Sequence, residues 1–122
     1  MNTNLVITGG RLVDGNTDKH LDIGIADGRI VELAQPGELA LQGEVIDADG
    51  AYVMPGLVDI QVHFRTPGGE ESEDIQSGAQ GAALGGVTAC VMMPNTVPTI
   101  DNGAIVEDIR ALSLGVPCDV HS

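Results

Sequence analysis

The stretch Pro55-Gly56-Leu57-Val58-Asp59-Ile60-Gln61-Val62-His63-Phe64-Arg65 constrains this chain more than any other, because four polar side chains alternate with Ile60, Val62 and Phe64. On an extended backbone successive side chains point to opposite faces. The pattern therefore predicts a strand at 57–64 with Asp59, Gln61, His63 and Arg65 on one face and the apolar three on the other. Burying a carboxylate, an imidazole and a guanidinium in one row costs on the order of several kcal/mol unless they are paired, hydrogen-bonded or bound to a metal or anion. The strand is expected to carry an interior functional site.

Downstream of it the pattern alternates strand, helix, strand, helix at spacings that suit parallel βα units. An acidic loop, Gly68-Gly69-Glu70-Glu71-Ser72-Glu73, leads to a helix predicted over about 74–84, with anions in its first turn near the positive dipole end. Gly78, Ala79, Gly81, Ala82 and Ala83 allow that helix to approach a sheet closely, and Gly85-Gly86 stops it. Val87 to Met93 reads as a fully buried strand ending in the loop Pro94-Asn95-Thr96. A second, amphipathic helix is expected from an N-cap at Asp101, with Ile105, Val106, Ile109 and Leu112 on its apolar stripe. A third strand begins at Cys118-Asp119-Val120. No Walker or Rossmann glycine motif is present, and the glycines of 81–86 end a helix rather than cradle a phosphate.

Residues 4 to 54 follow a different grammar of short strands: 5–7, 11–13, 23–25, 29–33, 45–47 and 52–53. Gly9-Gly10, Asp14-Gly15, Asp27-Gly28 and Asp49-Gly50 separate them, and Asp27-Gly28 between two alternating runs is a strong hairpin signal. This half is expected to be a small antiparallel β-unit spanning 1–54, with 55–122 holding the βα repeats. The fold class is α/β. A 43% hydrophobic content with only 2% aromatics and 17 glycines leaves Val, Ile, Leu and Ala to build the core, which suits such layers.

A net charge of −13, from 18 acidic residues against 5 Lys and Arg, excludes a nucleic-acid partner, since phosphate contacts need clustered cations. Anionic membrane surfaces are repelled for the same reason. No apolar run approaches the roughly 20 residues of a membrane span, and no basic leader precedes an apolar stretch, so a cytoplasmic location is expected. Cys90 and Cys118 lack CxxC spacing and are expected as reduced, buried core thiols. His20 is placed in a solvated loop, and His121 has no motif around it.

The order of a β-unit, Pro-Gly-Leu-Val-Asp-x-x-Val-His-Phe-Arg, a glycine-stopped helix and Met-Pro-Asn-Thr resembles the start of a dihydroorotase of the amidohydrolase superfamily, over nearly all 122 residues. The resemblance implies the beginning of a TIM-type (β/α)8 barrel preceded by a small β-domain, with its site at the carboxyl ends of the barrel strands. The barrel would be incomplete, with two complete βα repeats. Hydantoinases and allantoinases share much of the first motif, while Phe-Arg and Met-Pro-Asn-Thr tilt the choice toward dihydroorotase.

In the family the first strand supplies two histidines, two residues apart, to zinc or another divalent metal. His63 matches the second of them and Gln61 stands at the first. An amide oxygen is a weaker, uncharged donor for such an ion, so the resemblance implies a metal site that Gln61 weakens. Arg65 and Asn95 resemble the arginine and asparagine that hold the carboxylate of dihydroorotate. A guanidinium grips a carboxylate through two parallel hydrogen bonds, and an amide adds a third. From the residues alone, Arg65 can instead pair with Glu70 or Glu73, and Asn95 can serve as a turn residue. Asp59 either orients a ligand from behind or pairs with Arg65.

The implied reaction interconverts N-carbamoyl-L-aspartate and dihydroorotate in pyrimidine biosynthesis. The family's remaining ligands and its catalytic aspartate lie on later strands, so no catalytic residue is assigned within these 122. Two readings follow for the whole protein. One is the amino-terminal part of a dihydroorotase-like hydrolase of that small-molecule substrate. The other is a non-catalytic relative, either an assembly partner of another pyrimidine enzyme or an inert fragment; the expected protein partners are a second copy, as a homo-oligomer, or a pyrimidine enzyme.

Overall fold

The structure is a computed structural model and describes residues 3–40 and 43–122. The chain divides into two units, Met1–Pro55 and Gly56–Ser122.

In the first unit, strands β1 (Leu5–Thr8), β4 (Asp22–Ala26), β5 (Arg29–Ala34) and β6 (Glu44–Asp47) form one sheet in the order β5-β4-β1-β6. Strands β2 (Arg11–Val13), β3 (Asp18–His20) and β7 (Tyr52–Val53) form another in the order β3-β2-β7. The Asp27-Gly28 hairpin joins β4 to β5 with both residues at positive φ, 51° and 72°, as a two-residue turn that follows the strand twist requires.

The unit is mixed rather than antiparallel, which corrects the expectation. β6 pairs with β1 in parallel, Val6 opposite Val45, and β7 pairs with β2 in parallel, Arg11 opposite Tyr52. Both returning strands re-enter after long excursions, and such lengths permit a parallel crossover where a tight turn would not. A second correction concerns His20, which lies on exposed strand β3 rather than in a loop.

Val6 and Ile23 are buried in this unit together with the carboxylate of Asp22. That carboxylate accepts hydrogen bonds from Gly9 N at 3.1 Å and Gly37 N at 2.7 Å. A buried anion is tolerable here because backbone donors replace the water it loses.

The second unit is a three-stranded parallel sheet in the order β10-β9-β8, with β8 at Leu57–Val62, β9 at Val87–Met92 and β10 at Asp119–His121. Helix α1 (Ile75–Leu84) connects β8 to β9 and α2 (Gly103–Leu112) connects β9 to β10. These are two successive βα repeats. Asp74 caps α1 through a capping box in which its carboxylate accepts from Ser77 N at 2.7 Å and Ser77 Oγ accepts from Asp74 N at 3.2 Å. The anion at this end is the cap itself; the first turn holds no acidic residue. For α2 the cap is Asn102, not Asp101: Asn102 Oδ1 accepts from Ala104 N and Ile105 N, while Asp101 accepts from the Asn102 side-chain amide.

Phe64, Ile75, Ala79, Cys90, Met92, Ile109 and Cys118 form the core of this unit. Gly78 is required against Phe64, because a Cβ there would run into the aromatic ring. The stripe on α2 is only partly used, with Ile109 buried and Leu112 exposed. Among the described residues no helix is long and apolar enough to cross a membrane.

Burial, reinforced by the neighbouring Cys118, pushes the Cys90 thiol up to about 12. The sign of the linkage follows. Below the ordinary thiol range near 9.0 both folded and unfolded chains keep this proton, and the full stability is present. As pH rises from there toward about 12 the unfolded chain releases a proton that the folded chain retains, so stability falls. Urea midpoints are expected to drop between pH 8 and pH 10.5, and Cys90→Ala to flatten that drop; equal slopes in both proteins would contradict it.

Candidate functional site

Strand β8 ends at Val62, two residues earlier than the alternation suggests. Met93 N donates to Val62 O at 2.8 Å, carrying the β8–β9 pairing to this point, and beyond it the chain turns so that Arg65 N donates to Glu73 O at 3.2 Å. Asp59 and Gln61 therefore lie on the strand, while His63 and Arg65 lie in the segment that leaves it. Asp59 Oδ1 accepts from Gln61 N at 2.9 Å. All four side chains are exposed in this chain rather than interior. The apolar partners grade from Ile60, 74% exposed, through half-buried Val62 to Phe64, 5% exposed, so only the far end of the alternation is packed.

The two strand-end motifs meet through side chains. His63 Nδ1 lies 3.0 Å from Asn95 Oδ1, a contact across 32 residues of sequence. With the amide oxygen accepting, Nδ1 of the imidazole is the donor. The Asn95 amide nitrogen is then left with two donors.

Backbone contacts hold the two loops together. Val97 N donates to Pro67 O at 3.1 Å, and Gly68, at φ +94°, sits so close to the Val97 carbonyl that a Cβ would collide with it. Gly69 N donates to Arg65 O at 2.8 Å, tightening the turn after the arginine. Thr96 Oγ1 donates to Pro98 O at 2.8 Å and is buried. Glycines in a loop are the only trace of this clasp in the amino-acid pattern.

Neither Glu70 nor Glu73 forms an ion pair with Arg65 among the described residues. The pairs present are Arg11–Asp18 at 2.6 Å and Arg110–Glu107 at 3.8 Å. Glu70 instead accepts from Gly68 N with both carboxylate oxygens, at 2.9 and 3.0 Å. Asp59 is not paired with Arg65 either. His121 lies elsewhere, on a cavity of about 430 Å³ beside β10 that it shares with Ile109, Arg110, Val116 and Cys118.

The donor set does not fit a divalent metal by itself. Among the described residues no group of three or more His, Cys, Asp or Glu is placed to hold an ion. Zinc takes at least three protein ligands, and this strand end offers one imidazole and an uncharged amide.

Two consecutive βα repeats that follow a small β-unit in the chain, with polar residues converging where two parallel strands end, define part of an amidohydrolase-type α/β architecture. The likeness to solved structures agrees. L-hydantoinase (dihydropyrimidinase) from Arthrobacter aurescens superimposes with a TM-score of 0.81 at 25% identity, over 91% of this chain and 25% of that one. A D-hydantoinase superimposes with a TM-score of 0.77 at 28% identity, over 94% of this chain and 25% of that one.

A dihydro-orotase-like family model matches residues 50–114, and the chain belongs to that family. A dihydroorotase of Citrifermentans bemidjiense is 50% identical over 109 residues, which cover 87% of this chain and 26% of that relative. The chain thus spans about a quarter of the length of the curated relatives it matches.

Proposed function

We propose that this chain is the opening section of a cyclic-amide hydrolase that interconverts N-carbamoyl-L-aspartate and dihydroorotate in pyrimidine biosynthesis, and that it supplies the carboxylate-binding corner of that site. The observation that carries the reading is the 3.0 Å contact of His63 with Asn95, which brings the two motif segments together. Because Asn95 spends its oxygen on His63, its amide N–H groups are free for a substrate carboxylate. Arg65, unpaired with any carboxylate among the described residues, offers the bidentate partner. Asp59 stiffens the strand end by accepting from Gln61 N. These 122 residues alone are expected to give no turnover, since among the described residues no group of three or more His, Cys, Asp or Glu is placed to hold a metal.

A second reading, a non-catalytic relative that supports assembly with another pyrimidine enzyme, is favoured by Gln61, which leaves His63 without an imidazole neighbour two residues away.

Intact mass of the endogenous product, captured through an antibody to residues 1–54, separates the readings. A species several times heavier than 12.5 kDa with dihydroorotate turnover supports the hydrolase. In that species Arg65→Ala is expected to raise KM about ten- to a hundredfold, the cost of charge-assisted hydrogen bonds. A product without turnover, whose zinc content rises on Gln61→His, supports the second reading.

A further inference from the structure

Asn102 is the one asparagine of the chain that a glycine follows; Asn2, Asn4, Asn16 and Asn95 each precede threonine or leucine, whose side chains crowd their own backbone nitrogen. Asp101, Asn102 and Gly103 are all exposed, and they stand where the loop after β9 enters α2. The Asn102 backbone is extended, with φ −146° and ψ 159°, and Gly103 is the first helical residue. A first helical residue has no intrahelical partner for its N–H. A Cβ built on Gly103 would meet no atom within 4 Å, so the approach to this nitrogen is open, and glycine lets the backbone turn there at little steric cost.

The carboxamide next to that nitrogen is held at both ends. Asn102 Oδ1 accepts from Ala104 N at 3.0 Å and from Ile105 N at 3.2 Å. Asn102 Nδ2 donates to Asp101 Oδ1 at 3.0 Å. These bonds engage the oxygen and the nitrogen, not the carbon Cγ. Two donors fixed on an amide oxygen draw electron density from that carbon and stabilise negative charge arriving on the oxygen. A carboxylate against the amide nitrogen favours the protonated form in which that nitrogen leaves.

From this arrangement we infer that Asn102-Gly103 is a self-modification site, at which the Gly103 backbone nitrogen converts the Asn102 carboxamide to a carboxylic acid with water as co-reactant. Gly103 N gives its proton to hydroxide and forms a bond to Asn102 Cγ, which places negative charge on Oδ1. The Cγ–Nδ2 bond then breaks, and the departing nitrogen takes a proton from water and leaves as ammonia. The cyclic imide that remains adds water. Opening at Cγ gives aspartate at this position, and opening at the main-chain carbonyl carbon gives its β-linked isomer. In sum an amide and a water become an acid and ammonia, with no oxidation or reduction.

The consequence falls on α2. Aspartate caps a helix about as well as asparagine, and its charge sits at the positive end of the helix dipole, so the normal product keeps the first turn. The isomer inserts a methylene into the main chain between the loop and α2 and disrupts the cap.

The test ages the folded whole chain in mildly acidic and mildly alkaline buffer, with a sample unfolded in urea in parallel, followed by ion-exchange chromatography, intact mass and peptide mapping. The folded chain is expected to yield a form with one added negative charge, produced faster in the alkaline buffer. The change should map to the peptide holding Asn102, with both aspartate isomers present and one oxygen taken up from isotopically labelled water. Gly103→Ala, which suits a helix, is expected to lose that form. Any of three results overturns the proposal: no added charge in the folded chain, which would show that the cap shields Cγ; a change that maps to another asparagine; or a wild-type rate in Gly103→Ala.

Discussion

Phe64→Ala is expected to destabilise the second unit by about 3–5 kcal/mol, the range for removing a buried aromatic side chain and leaving its cavity. Phe64 is the sole phenylalanine in a chain with one tyrosine and no tryptophan, so no second ring can fill the space. Its neighbours are small or held by helices: Gly78 lies directly against the ring, and Ile75 and Ala79 flank it on the same helix. A loss of this size is a large fraction of the 5–15 kcal/mol typical of a whole domain. The effect should reach the site as well, because Phe64 stands between His63 and Arg65 and is the anchor of the segment that leaves β8. Urea denaturation followed by circular dichroism gives the stability change. The His63 ring resonances should lose the environment set by Asn95 even where the chain remains folded. A loss below about 1 kcal/mol, with those resonances unmoved, would show that Phe64 packs without holding the segment.

The motif and its neighbourhood were legible because strand and helix each leave a periodic trace. The alternation after Pro55, the apolar run from Val87 and the small residues of α1 each report a backbone geometry directly; β9 and α1 lie where they point, although only Cys90 and Met92 of β9 are buried, and β8 stops two residues short at Val62. Direction of pairing leaves no such trace. A strand such as β6 has the same local pattern whether it joins β1 parallel or antiparallel, and the path of the intervening chain decides. β3 was invisible for another reason. Asp18-Lys19-His20 is exposed throughout and pairs through its backbone and the two hydrogen bonds from Arg11 to Asp18, so it has no apolar periodicity to display.

The cap of α2 was missed by one position because Asp101 and Asn102 are both good capping residues. Only the backbone, extended at Asn102 with φ −146° and ψ 159°, separates them. At the site, His63 and Asn95 were each recognisable in their motifs, but not the bond between them. That bond depends on the register of β8 and β9, which is irregular between Asp59 and Val62.

Ile60 carries the second large effect. In the order β10-β9-β8 the strand β8 is an edge, and it presents Leu57, Val58 and Ile60 at 52%, 63% and 74% exposure. An edge with unpaired backbone groups and uncovered apolar side chains is a template for pairing with another strand. Charge works against association, since −13 per chain repels a second copy, but that repulsion is screened beyond about 8 Å at physiological salt. Backbone pairing and apolar burial act inside that distance. The isolated 122-residue polypeptide is therefore expected to self-associate at micromolar concentration, with an average mass by light scattering above 12.5 kDa that grows with concentration and with added salt. Val58→Lys combined with Ile60→Lys should return it toward the monomer mass, because two cations on a short edge strand make continued pairing unfavourable. A monodisperse 12.5 kDa wild-type species that melts cooperatively would mean that the charge repulsion outweighs the uncovered edge.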